Sequence, residues 1–255
     1  MMKRIVFLGS KLIGYRCLEF LIKNQNPLRI EIVACLTNDN KGFDNNLSIL
    51  QLCKNSGISV LSSVESLLYL SDIDVIISVQ YHQILKQKHI DCAKQIAVNL
   101  HMAPLPEFRG CNQFSFAIYQ GVNEFGTTLH KMDTGIDSGD ILYENRFSIP
   151  AGCNVKQLYE MTFSSSIELF VSSIGKIIAG DYSPVAQSEL VPKMGTQIFY
   201  RKDIEALKEI ELTEDIKRRV RATAMPGFEP PFAYDGEKKI YLVPEEDYNK
   251  LRKQV

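Results

Sequence analysis

Apolar residues along the chain fall into short unbroken runs, separated by stretches where they recur every three or four positions. Residues 3–9 (KRIVFLG) form the first run, which stops at Gly9. Leu12, Cys17, Leu18 and Leu21 then follow at mostly helical spacing across 11–24. Further runs at 29–37, 58–61, 74–79 (DVIISV) and 96–100 read as strands, with helices expected at 48–56, 64–70 and 84–93. Continuous apolar strands alternating with helices predict a parallel sheet buried on both faces.

The pattern changes after residue 100. Pro104, Pro106 and Gly110 mark a loop over 102–111, and a helix is expected over 112–120 with Asn112 as its N-cap. Strands at 127–132 and 140–149 are joined by a tight turn holding Asp133, Gly135 and Gly139. A long amphipathic helix over 155–179 ends at Gly180, and 182–195 reads as polar and irregular. Beyond 198 come helical stretches at 203–210 and 214–224. The breakers Pro226, Gly227, Pro230 and Pro231 follow, then a hairpin around the Asp235-Gly236 pair. The expected fold is α/β: a mostly parallel sheet with helices on both faces over 1–195, followed by a small C-terminal helix and β-hairpin unit over 196–255.

Composition narrows the function classes. The chain has 255 residues, 29 Lys+Arg against 30 Asp+Glu, and a formal net charge of −1. Near-neutrality argues against a nucleic-acid binder, which carries a basic face, but leaves room for a local phosphate site. No apolar run approaches the roughly 18 residues of a membrane helix. The start MMKRIVFLGS reads as a first strand rather than a signal peptide, so a cytoplasmic location is expected. The six cysteines form no CxxC pair and the four histidines no HExxH or HxH, so no metal is expected.

The candidate chemistry lies in VNLHMAPLPEFRGCNQFSFAI at 98–118 and GTTLHKMDTGIDSGDIL at 126–142. Asn99 and His101, two residues apart at the end of an apolar strand, point to one face. In an open parallel sheet the crevice past the strand ends binds ligands. Asp137 follows in a glycine-rich turn. An Asn, a His and an Asp converging there can transfer an acyl group to an amine. The Asn amide stabilises the developing oxyanion, the His moves a proton, and the Asp orients the His. On spacing alone, two polar strand-end residues and a turn aspartate would account for the same three positions.

The runs N-x-H-x-x-P-L-P-x-x-R-G and G-T-T-L-H-x-M-D-x-G-I-D-x-G-D-I resemble those of the folate-dependent formyltransferases. HMAPLPEFRGCNQFSFAI, MGTQIFYRKDIEAL and RATAMPGFEPP are similar to the sugar N-formyltransferases acting on nucleotide-linked amino sugars. The resemblance implies a Rossmann-like catalytic domain over 1–195, with 196–255 as a dimerising or substrate-covering unit. It also implies 10-formyltetrahydrofolate as donor, and Asn99, His101 and Asp137 as the catalytic trio. It places the pterin against Tyr81, His82, Gln83, Ile84 and Leu85, and against Asp133, Thr134 and Gly135. His82 is then a pocket-wall residue. His130 reads as packing within a strand, and His89 as a solvated helix residue.

On the acceptor side, Ser10 and Lys11 open a helix after the first strand, which makes either an anion site or a plain strand–helix turn. Gly110 and Asn112 are candidates to contact the sugar and its amine, Asn112 being equally explained as a cap. Phe232 and Tyr234 would stack on a base, fill the core of the small unit, or meet a second copy in a homodimer. The expected acceptor is a dTDP-linked 4-amino-4,6-dideoxyhexose of O-antigen or a related surface polysaccharide. Alternatives are its 3-amino isomer, an initiator methionyl-tRNA, and a non-catalytic folate or sugar-nucleotide sensor. A tRNA acceptor would call for a larger basic C-terminal domain.

Overall fold

The computed structural model describes residues 2–40, 42, 47–211 and 215–244. Glu214, at the start of an expected helix, and residues 245–255 of the expected C-terminal unit lie outside the described residues. The first part runs β1 (Lys3–Gly9), α1 (Lys11–Lys23), α2 (Gln25–Leu28), β2 (Ile30–Leu36), α3 (Ile49–Asn55) and β3 (Ser59–Val60). A 3-10 turn at Val64–Tyr69 leads to β4 (Val75–Val79), α4 (Gln87–Ile90) and β5 (Ile96–His101). Next come β6 (Phe108–Gly110), α5 (Gln113–Gln120), β7 (Glu124–Lys131), β8 (Ile141–Ser148) and α6 (Val155–Ala179). The remainder is α7 (Gln187–Met194), β9 (Gln197–Phe199), α8 (Asp203–Lys208), α9 (Ile216–Thr223), β10 (Phe232–Asp235) and β11 (Lys238–Tyr241).

Seven strands form the main sheet in the order β3-β2-β1-β4-β5-β7-β8. The five from β3 to β5 are parallel, whereas β7 runs antiparallel to β5 and β8 antiparallel to β7. Period-two alternation in β1 explains how the sheet is held. Ile5 and Phe7 face Leu18 and Leu21 of α1 and Phe170 and Ile174 of α6. Val6 and Leu8 face the other way, toward Ala34, Leu36, Leu67 and Ile76. All four β1 side chains are fully buried, each contributing about 1.5–3 kcal/mol. Long helices cover the first face; the 3-10 turn and the single turn of α4 cover much of the second.

The chain order reverses between β1 and β4, because β2 and β3 lie on one side of β1 and β4 on the other. Carboxyl ends of strands at such a reversal open a crevice. Ser10 and Gln80 sit at that point, where the Ser10 amide donates to Val79 O at 3.2 Å.

Three stretches differ from the sequence expectation. The helix over 84–93 shrinks to α4, because Gln80 takes a left-handed φ of 54° and the chain then bends through 81–86. The loop over 102–111 contains β6, which pairs in parallel with β9 nearly ninety residues later. The irregular 182–195 stretch contains α7, despite Pro192 inside it and Gln187 as its only buried residue. A third apolar cluster joins Phe108, Phe125, Phe199, Leu207 and Ala222. Its Phe116 and Phe199 rings stack at 4.2 Å. Arg146 on β8 grips Glu107 with both terminal nitrogens, at 2.7 and 3.0 Å, and so fixes the loop entering β6.

Candidate active site

Asn99 and His101 occupy the carboxyl end of β5, on one face, as period two requires. The antiparallel register sets Asn99 opposite His130 and His101 opposite Thr128. Asp137 reaches over from the loop between β7 and β8 with a left-handed φ of 47°. The three expected residues therefore meet. Asp137 Oδ2 lies 3.5 Å from His101 Nδ1. Asn99 Nδ2 lies 3.5 Å from Asp137 Oδ1, a long contact.

The cluster holds two further groups. His130, expected to be packing, is part of it. Its Nδ1 lies 2.7 Å from Lys131 O and so carries the proton. Nε2 lies 3.1 Å from Asn99 Nδ2 and 3.6 Å from Asp137 Oδ1. Gly110 donates its amide to Asp137 Oδ2 at 2.9 Å. Arg109 supports the same loop by donating Nε–H to Ile136 O at 2.7 Å. On the other side His101 Nε2 lies 2.7 Å from Phe108 O, so that nitrogen also carries a proton. A second ring proton on Nδ1 would be shared with Asp137. Burial pushes the Asp137 carboxyl upward, but His101, His130 and the Gly110 amide outweigh it. They hold the group well below the usual carboxylate range.

The Gly110 contact depends on glycine. Its φ is +88°, and a Cβ there would lie 2.2 Å from Phe199 O across the β6–β9 pair. Gly110→Ala should lower stability by about 2 kcal/mol or more. By calorimetry that is a fall of about 4–8 °C in a chain of this size. Turnover should fall with it, since the amide leaves Asp137; an unchanged midpoint would contradict this account.

The residues expected to hold the pterin are placed as follows. Leu85 is buried, Tyr81 is half-buried, and His82, Gln83 and Ile84 are exposed. The Tyr81 and His82 rings meet edge-on at 4.7 Å. His82, Gln83 and Ile84 line a groove of about 590 Å³ together with Glu65, Lys86 and His89. His89 is not solvated: it is 3% exposed, accepts the Lys86 amide at Nδ1, and sits 3.1 Å from Glu65 at Nε2. Asp133 Oδ1 accepts from Ser138 Oγ at 2.6 Å and from the Gly135 amide at 3.1 Å, shaping the turn that also contains Thr134.

The acceptor candidates divide. Ser10 is 1% exposed and gives its hydroxyl to Asn38 Oδ1 and its amide to Val79 O, which leaves it no donor for an anion. Lys11 reaches Gln80 Oε1 at 3.1 Å, bridging the tips of β1 and β4. Asn112 makes no side-chain cap; Nδ2 donates to Tyr200 O and Arg201 O, both at 3.2 Å. Phe232 is buried with Lys239 Nζ 3.5 Å above its ring, so it is core of the hairpin rather than a stacking surface. Tyr234 is exposed. Among the described residues no group of three or more His, Cys, Asp or Glu could hold a metal ion. No helix among them is long and apolar enough to cross a membrane.

This arrangement has relatives. Residues 3–174 match the formyl transferase family. The chain belongs to that family. It is 28% identical to WlaRD, a sugar 3N-formyl transferase solved with dTDP and 5-N-formyl-THF. That match covers 87% of this chain and 79% of WlaRD at a TM-score of 0.72. It is 26% identical to an N-formyltransferase from Helicobacter canadensis solved with folinic acid and dTDP-3-aminofucose. There the match covers 94% of this chain and 86% of the other at a TM-score of 0.76. It is also 27% identical over 202 residues to a methionyl-tRNA formyltransferase of Clostridium novyi, matching 73% of this chain but 63% of that protein's length.

Proposed function

We propose that this formyl transferase moves a formyl group from 10-formyltetrahydrofolate to the amine of a dTDP-linked amino-dideoxyhexose. The carrying observation is the Asn99, His101 and Asp137 cluster at the carboxyl end of β5, buttressed by His130 and the Gly110 amide. The solved relatives that hold a folate compound with dTDP or a dTDP-sugar support the donor and acceptor classes.

The chemistry follows from the donors available. The sugar amine attacks the formyl carbon, and the carbonyl oxygen becomes an oxyanion. Asn99 Nδ2–H and a protonated His101 stabilise that charge in the transition state. The attacking nitrogen loses a proton to the carboxylate of the His101–Asp137 pair, since protonated His101 has no lone pair free to accept one. That proton passes to folate N10 as the C–N bond breaks. The products are the N-formyl sugar and tetrahydrofolate. No enzyme nucleophile is required, because the amine is itself one.

Two acceptors stand first. The sequence resemblance favours a 4-amino-4,6-dideoxyhexose; the 3-amino sugars named for the two solved relatives favour its isomer. The test mixes the chain and 10-formyltetrahydrofolate with each dTDP-amino sugar in turn, and with initiator methionyl-tRNA. Tetrahydrofolate release is followed. Saturable turnover on at least one dTDP-amino sugar, exceeding that on tRNA by about a hundredfold or more in kcat/KM, is expected. Faster turnover on tRNA, or none on either sugar, would overturn the reading.

A further inference from the structure

Gln187 lies in a stretch without apolar periodicity, yet it is 6% exposed and touches the loop that carries Asp137. Its Nε2 donates to Asp137 O and to Gly139 O, each at 2.8 Å. Two carbonyl acceptors fix the orientation of the amide, because only an NH2 group satisfies both. Its Oε1 is buried with no hydrogen-bond partner. An apolar side chain of the same length would avoid that unsatisfied acceptor, so packing alone does not explain a glutamine here.

The path of the chain brings Gln187 to this place. After α6 ends at Gly180, Tyr143 Oη donates to Asp181 O at 2.6 Å. Val185 then pairs with Ile141 through reciprocal backbone bonds of 2.9 and 2.8 Å. This short extension of β8 delivers Gln187, the first residue of α7, beneath the loop. The loop has little slack. Asp137 is held at a left-handed φ of 47°, and a Cβ on Gly139 would lie 2.0 Å from Lys131 O. Arg109 and Gln187 reach the loop from outside and bond Ile136 O, Asp137 O and Gly139 O, so its strained conformation leans on residues beyond the loop.

We propose that Gln187 is a positioning residue for the transfer reaction. It fixes the backbone on both sides of Ser138, so that the Asp137 carboxylate stays directed at His101. Arg109, bonded to Ile136 O, supports the same loop one residue earlier. The inference rests on the catalytic reading of Asp137, so its test has one arm independent of turnover.

In the first arm, hydrogen exchange by mass spectrometry is compared between the wild-type chain, Gln187→Leu and Gln187→Met. Peptides covering 133–140 should exchange about tenfold faster in both variants, with peptides from β1 and β4 unchanged. Unchanged exchange at 133–140 overturns the proposal whatever the substrate proves to be. In the second arm, turnover is measured with 10-formyltetrahydrofolate and whichever dTDP-amino sugar the wild type accepts. Both variants should lose about a hundredfold in kcat, with KM for donor and acceptor moving less than about threefold. In an Asp137→Asn background the same substitutions should change kcat by less than about threefold, since the group they position is already gone. Equal losses in both backgrounds, a change confined to KM, or failure of both variants to fold would make Gln187 merely structural and overturn the proposal. Absence of turnover on either sugar by the wild type would count against the acceptor reading, while the exchange arm would still decide the role of Gln187.

Discussion

Asp137→Asn should lower kcat by about a thousandfold while leaving the fold intact, within the range for loss of a group that moves protons in the transition state. The substitution keeps shape and volume. The asparagine oxygen would turn to accept the Gly110 amide that now donates to Oδ2. That same oxygen position faces His101 Nδ1 at 3.5 Å, so the contact would survive, and the new NH2 would take the Oδ1 position toward Asn99 Nδ2 and His130 Nε2. What is lost is the negative charge: a neutral amide cannot balance a protonated His101 ring as it offsets the oxyanion, and it cannot take up the proton of the attacking amine. KM should change little, because the residues proposed to hold the pterin lie mainly outside this pair. A kcat within about threefold of wild type would remove Asp137 from the mechanism.

The same substitution has a stability signature with a definite sign. Burial opposes ionisation of Asp137, but His101, His130 and Gly110 hold its folded pKa below the ordinary value. A carboxyl of that kind stabilises the fold fully above its unfolded pKa of about 3.9, and the contribution fades as pH falls toward the folded value. Wild type should therefore gain stability relative to Asp137→Asn as pH rises to about 4, and the difference should be flat from there to neutrality. Thermal unfolding across pH 3–7 measures it.

Much of this site can be read from the residues alone, because two of its three central groups obey a local rule. Asn99 and His101 share a face through strand period two, and the apolar run before them marks the strand end. Asp137 needs the glycine-rich turn, which is also visible in the sequence. His130 follows a different logic. It joins the site through cross-strand register, and neither strand reveals by its own pattern which residue stands opposite. Once β5 and β7 pair antiparallel, His130 must stand against Asn99. Gly110 contributes a backbone amide, which carries no residue-type signal. Its glycine is required by the approach of Phe199 O, and β9 lies nearly ninety residues away. Gln187 is hidden for a related reason: α7 buries no apolar stripe for periodicity to detect.

The parallel part of the sheet was more legible. Continuous apolar strands separated by helical spacing predict β1, β2, β4 and β5 within a residue or two at each end. The second face of the sheet was less so. Its cover includes α4 and the 3-10 turn at Val64–Tyr69, and segments that short carry too few residues to establish a period. His89 illustrates the consequence. Its neighbours are polar, so it reads as solvated, yet contacts with Lys86 and Glu65 bury it at 3% exposure.

His101→Asn should show a different pattern from Asp137→Asn, and the contrast is informative. Turnover should again fall by about a thousandfold, because the charge that balances the oxyanion is lost. Stability should fall as well. His101 is 5% exposed, and its Nε2–H is a buried donor to Phe108 O at 2.7 Å. The shorter asparagine cannot reach that carbonyl while keeping its contact with Asp137. One buried polar group is left unpaired, at a cost of about 1–3 kcal/mol. In a chain of this length that lowers the thermal midpoint by about 2–12 °C. Binding of folinic acid, followed by calorimetry, should stay within about threefold of wild type, because the proposed pterin contacts lie elsewhere. Combined with Asp137→Asn, the kinetic losses should not multiply: the double variant should be no more than about tenfold slower than the worse single one, as expected of residues acting as a unit. Losses that multiply fully would mean that His101 and Asp137 act independently, and the proton path through their contact would have to be abandoned.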